Sequence, residues 1–100
     1  MLDFLKQILG GSPSIDLAEL KSRGAVVLDV RSPQEFKSGH AKGAVNIPVD
    51  VLAAKLSGLD KNKPVITCCA SGMRSASAAS ILKANGFTEV INGGPWQNVQ

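Results

Sequence analysis

The run Pro64-Val65-Ile66-Thr67-Cys68-Cys69 is the strongest constraint on how this chain folds. It is apolar and β-branched, and it lacks the polar alternation of a half-solvated strand. Such a run reads as a strand covered on both faces, as strands inside a parallel sheet are. Ala70-Ser71-Gly72-Met73-Arg74-Ser75 then makes a tight loop of small residues ending in an arginine and a serine, and Ala76 to Lys83 reads as a helix that Asn85-Gly86 terminates. A strand end, a short loop and a helix N-terminus converge on one point. Backbone N–H groups and the positive end of the helix dipole favour an anion there.

The rest of the chain repeats this alternation. Asp16 is placed to cap a helix running through Ser22, with Gly24 ending it. Ala25 to Val30 is a second nearly unbroken apolar run and reads as a buried strand. Ser32-Pro33-Gln34-Glu35 has the serine, proline and glutamate spacing of a capping box, so a short helix begins there. Ala44 to Ile47 is expected to be a strand, with Asp50 capping a helix over Val51 to Leu56. Lys61-Asn62-Lys63-Pro64 is a turn, Thr88 to Ile91 the last strand, and Pro95-Trp96-Gln97-Asn98 a final helical turn. Ile15 starts a short edge strand. The expected fold is α/β, a three-layer α/β/α domain around a mainly parallel sheet of about five strands, with ligands at the C-terminal strand ends.

Residues 1–13 read as a separate N-terminal helix and short linker, and 14–100 as the domain. Leu2, Leu5, Ile8 and Leu9 share one helical face, which Gly10-Gly11-Ser12-Pro13 ends. That face is expected to pack on the domain, since one lysine in nine residues makes a poor membrane anchor. No apolar run is long enough for a transmembrane helix, and the N-terminus lacks the basic region of a secretory signal. The formal net charge is +3, but the basic residues are scattered and lie near acids, which argues against a nucleic-acid groove. A monomer or weak dimer is expected.

The chemistry points to sulfur. Cysteine attacks as the thiolate, and a helix N-terminus with a nearby guanidinium lowers its pKa from about 8.5 to roughly 3.5–7.5. Cys69 has the loop amides, and Arg74 supplies the guanidinium. Gly72 can take the positive φ that curls a short loop inward, and Ser71 and Ser75 add hydroxyls. Ala70 and Met73 line the loop. Cys68, the strand neighbour of Cys69, points to the opposite face and is expected to be structural, with a lesser role as a resolving thiol. Adjacent cysteines cannot staple distant elements, so a reducing, cytoplasmic setting is expected. Asp29 is expected to fix loops by hydrogen bonds. Arg31 has three candidate placements: paired with Asp29, paired with Glu35, or at the pocket mouth. His40 is the only histidine, which rules out a histidine-rich metal site.

Cys69-Ala70-Ser71-Gly72-Met73-Arg74 resembles the C-x-x-G-x-R loop of the single-domain rhodaneses. Val27-Leu28-Asp29-Val30-Arg31, Glu35-Phe36 and Gly39-His40-Ala41-Lys42-Gly43-Ala44-Val45-Asn46-Ile47-Pro48 are similar to that family's first block, and Gly86-Phe87 and Gly93-Gly94 to its last. The resemblance implies a sulfurtransferase that carries sulfur as a Cys69 persulfide, with Arg74 orienting the donor and no metal or organic cofactor. Its partners would be a small sulfur donor such as thiosulfate and an acceptor that is a thiol, cyanide or a protein. Two alternatives stand beside it. Counted from Cys68, the same residues make the longer C-x5-R loop of a phosphatase or arsenate reductase; counted from Cys69, Gly72 falls on the rhodanese glycine. The other is a sulfur-carrier module serving a dedicated protein.

Overall fold

The computed structural model describes residues 16–100. The N-terminal helix expected within 1–13 and the edge strand expected from Ile15 lie outside them. Helix α1 (Leu17–Ser22) starts at Asp16, whose carboxylate accepts the Glu19 N–H at 3.2 Å. Strand β1 (Val26–Asp29) leads into α2 (Pro33–Ser38), where the capping box is complete: Ser32 Oγ accepts the Glu35 N–H and the Glu35 carboxylate accepts the Ser32 N–H. After them come β2 (Val45–Asn46), α3 (Val49–Leu52), a 3-10 turn at Leu56–Gly58, and β3 (Val65–Cys69). Helix α4 (Met73–Ala84), β4 (Val90–Pro95) and a 3-10 turn at Trp96–Val99 complete the chain.

Four strands form one parallel sheet among the described residues, in the order β2-β1-β3-β4. The central pair is buried on both faces, which accounts for the unbroken apolar runs. Alternation along the strands sorts side chains into two cores. Leu28, Val30, Val65 and Cys69 pack with Leu52 of α3 and with Ala78, Ala79 and Leu82 of α4. Val27, Ile66 and Cys68 pack on the other face with Leu20 of α1 and with Val99. These are the three layers. Among the described residues no helix is long and apolar enough to cross a membrane.

Two local expectations are corrected. The helix expected over Val51 to Leu56 behind an Asp50 cap is instead α3, Val49–Leu52, which starts after Pro48 with no side-chain cap, and Leu56 falls in the 3-10 turn. Proline supplies the fixed φ at the helix start, where a missing N–H costs nothing. The last strand runs from Val90 through the glycine pair to Pro95, not from Thr88 to Ile91. Its register against β3 shifts by one residue between Thr67 and Cys69, so Asn92 lies beside Thr67 and Pro95 beside Cys69. This bulge takes up Gly93-Gly94, and bulges of this kind re-aim backbone next to active sites. A Cβ on Gly93 would lie 2.5 Å from Val99 Cγ1 and 2.9 Å from both Ile66 Cγ2 and the Thr67 carbonyl oxygen, so only glycine fits.

Candidate active site

Cys69 ends β3 with its side chain fully buried beneath the first turn of α4. Its sulfur is the focus of the loop. The Gly72 N–H donates to Sγ at 2.9 Å and the Ser75 N–H at 3.3 Å, while Ser75 Oγ stands 3.4 Å away. Gly72, at φ +102°, supplies the left-handed residue that turns the amides inward. Burial of Sγ opposes ionisation. The Ser75 hydroxyl and the amides of Ser75, Gly72 and Ser71 outweigh it and hold the Cys69 thiol below its usual range. The site therefore favours a sulfur anion.

Further bonds fix this geometry. Thr67 Oγ1 donates to the Ser75 carbonyl at 2.9 Å and ties the helix start to the strand. Ser75 Oγ lies 2.6 Å from Asn92 Oδ1 and 3.1 Å from the Gly72 carbonyl, and Asn92 Nδ2 donates to that same carbonyl at 3.2 Å. Asn92 was not singled out from the sequence. Its only local signal is the glycine pair that follows it, and its role depends on the β4 bulge.

Ala70, Ser71 and Met73 form the exposed rim of the loop, and Met73 projects outward with 77% of its surface exposed. Arg74 lies at the mouth, with its guanidinium forked onto Glu35 at 2.7 and 3.0 Å. The anion it faces is thus a side chain of the protein. Glu35 also accepts from the Ser32 N–H and hydroxyl, both at 3.1 Å. The Arg74 pair and these bonds lower its carboxyl to about 2. From the sequence Glu35 reads as a helix cap and as a candidate partner of Arg31, and its pairing with Arg74 is not legible there.

Asp29 and Arg31 lie on the other face of the sheet. Arg31 forks onto Asp29 at 2.7–3.1 Å, donates to the Gly39 carbonyl at 2.7 Å, and sits 5.0 Å from the Trp96 ring centroid. Of its three candidate placements this is the Asp29 pair, with Glu35 reached only through a backbone carbonyl at 3.4 Å. Cys68 lies in the same layer, free and buried among Leu20, Val27, Ala41, Ile66 and Val99. Burial first, then the Asp29 charge, pushes its thiol up to about 12. His40 stacks on Phe36 and bonds its carbonyl through Nδ1, as a structural turn would.

Most of the chain is similar to known proteins. The rhodanese-like domain profile matches residues 15–94. The chain is 41% identical over 78 residues to the thiosulfate sulfurtransferase GlpE of Ectopseudomonas mendocina, a match covering 76% of this chain and 72% of that protein. It is 43% identical over 70 residues to the uncharacterized protein YqhL of Bacillus subtilis, covering 70% of this chain but spanning only 56% of YqhL. YrkF of the same organism, named as a candidate sulfur carrier protein, is 38% identical over 66 residues, which are 66% of this chain and 36% of YrkF. Among solved structures, a rhodanese from E. coli superposes with a TM-score of 0.69 at 33% identity, covering 74% of this chain and 89% of that one. With the profile spanning most of the sequence and relatives named for sulfur transfer alongside it, the chain belongs to the rhodanese-like family.

Proposed function

We propose that this protein is a sulfurtransferase that moves a sulfane sulfur from thiosulfate or a persulfide to a thiophilic acceptor through a persulfide on Cys69. One observation carries the reading: the Cys69 sulfur lies at the convergence of the Gly72 and Ser75 amides and the Ser75 hydroxyl. The thiolate attacks the outer sulfur of the donor. A new S–S bond forms at Cys69, the donor S–S bond breaks, and its electron pair leaves with sulfite or with a thiolate. The outer sulfur of Cys69–S–S⁻ then carries the charge that the loop donors stabilise. A thiolate or cyanide attacks that sulfur and restores Cys69.

The orientation of Cys68 favours this reading over the C-x5-R alternative. A nucleophile counted from Cys68 would need its sulfur in the loop, yet the Cys68 side chain packs in the opposite core. A carrier role toward a protein acceptor is the second reading, and the likeness to YrkF favours it. Both share the Cys69 persulfide.

Turnover is the test. Reduced protein given thiosulfate or an alkyl persulfide, with cyanide as acceptor, is expected to form thiocyanate at a rate proportional to enzyme, and to leave aryl phosphates intact. Hydrolysis of an aryl phosphate without thiocyanate from either donor would overturn the assignment.

A further inference from the structure

The Arg74–Glu35 pair bears on which donor the loop accepts. An arginine at the mouth of an anion-binding loop ordinarily attracts small anions. Here both terminal nitrogens of Arg74 are occupied by the Glu35 carboxylate at 2.7 and 3.0 Å. Two bonds from Ser32 hold that carboxylate in place as part of the α2 cap. Bidentate pairs of this kind are strong and directional, so Arg74 presents little net charge to an incoming dianion. Thiosulfate would have to displace Glu35 or approach a neutral pair.

A cavity of about 370 Å³ adjoins Arg74 and the Ser32 end of the α2 cap. Its wall is largely apolar, built from Val30, Pro33, Pro48, Val49 and Val51. Arg74 closes one side, and Asp50 adds a second carboxylate. Two carboxylates, Glu35 and Asp50, and one guanidinium, Arg74, thus lie around the mouth, so its formal charge balance is negative. This suits a donor with a carbon body and disfavours an inorganic dianion.

Building on the sulfurtransferase reading, we propose that Glu35 is a specificity-determining residue: by neutralising Arg74 it biases the loop toward organic persulfide donors, whose carbon body lies in the adjoining cavity, and against thiosulfate. Glu35 acts through Arg74 and is a positioning residue. In the favoured reaction the Cys69 thiolate attacks the terminal sulfur of R–S–SH. A new S–S bond forms at Cys69, the S–S bond of the donor breaks, and R–S⁻ leaves with its electron pair and takes up the proton of the transferred sulfur, which leaves R–SH and Cys69–S–S⁻. Charge and atoms balance without an oxidant or reductant.

Glu35→Gln isolates the charge, because glutamine still accepts the Ser32 N–H and keeps the capping box. The donors are sodium thiosulfate and the persulfide of N-acetylcysteine methyl ester, which has no charge outside its sulfur. The wild type is expected to load Cys69 from both and to show the higher kcat/KM with the persulfide. In Glu35→Gln the ratio of kcat/KM, thiosulfate over persulfide, is expected to rise about tenfold, mainly through a lower KM for thiosulfate. Added salt should shrink that gain. The double variant Glu35→Gln/Arg74→Gln should abolish it, since the gain needs the freed guanidinium. A wild-type preference for thiosulfate, or an unchanged or lower ratio in Glu35→Gln, would overturn the inference while leaving the sulfurtransferase reading intact. Failure of the wild type to load from either donor would overturn both.

Discussion

Replacing Cys69 with serine is expected to lower sulfur transfer by on the order of 10⁴-fold or more, the scale for loss of a covalent nucleophile. The loop amides that stabilise a thiolate cannot bring a serine hydroxyl, far less acidic, to ionisation at neutral pH. Cys68→Ser is the matched control. It puts a hydroxyl among Leu20, Val27, Ala41, Ile66 and Val99, at a cost of about 1–3 kcal/mol in stability, and should leave turnover within a few-fold of the wild type. The pH dependence should separate the thiols as well. Because the Cys69 pKa is lowered, its alkylation by iodoacetamide should reach full rate below the pH range of an ordinary thiol. Ser75→Ala should move that rise to higher pH, because Ser75 supplies the leading contribution that lowers the pKa. Turnover that survives Cys69→Ser, or fails in Cys68→Ser with the fold intact, would reverse the assignment.

The largest effect on stability is expected at Arg31. Its side chain and that of Asp29 are 5% and 0% exposed, and their pair is reinforced by the Gly39 carbonyl and the Trp96 ring. Arg31→Leu strands a carboxylate in the interior. Removing one partner of a buried ion pair costs about 3–5 kcal/mol, a large share of the roughly 5–15 kcal/mol that holds a domain together. The urea midpoint should fall accordingly, and Asp29→Asn/Arg31→Leu should recover part of the loss, because the stranded charge is then gone. A cost below about 1 kcal/mol for Arg31→Leu would mean that the pair carries little of the fold. Since the pair lies on the sheet face opposite Cys69, the folded fraction of Arg31→Leu should still bind sulfur. That separates structural support from chemistry.

Local patterns were legible where the physics is local. The Ser32–Glu35 box, the Asp16 cap and the divergence of Cys68 from Cys69 follow from helix-start geometry and strand alternation, and the structure has all three. Gly72 was readable for the same reason, because a short loop before a helix needs a residue at positive φ. What escaped depends on distant partners. Glu35 satisfies its cap with Ser32, three positions back, and nothing in that signal shows a guanidinium 39 positions further on closing over it. Asn92 gained its place only when β4 bulged beside Thr67, and Gly93-Gly94 reads in isolation as the end of a strand. Asp50 shows the opposite failure: a good capping residue was passed over because Pro48 had already started the helix.

The most direct test of the account is the intact mass of reduced wild-type, Cys69→Ser and Cys68→Ser proteins after treatment with thiosulfate or the alkyl persulfide and removal of excess reagent. The wild type and Cys68→Ser are expected to gain one sulfur atom that cyanide discharges, and Cys69→Ser to gain none. Sulfur retained by Cys69→Ser, or no gain by folded, reduced wild type from either donor, would contradict a persulfide on Cys69 as the working intermediate.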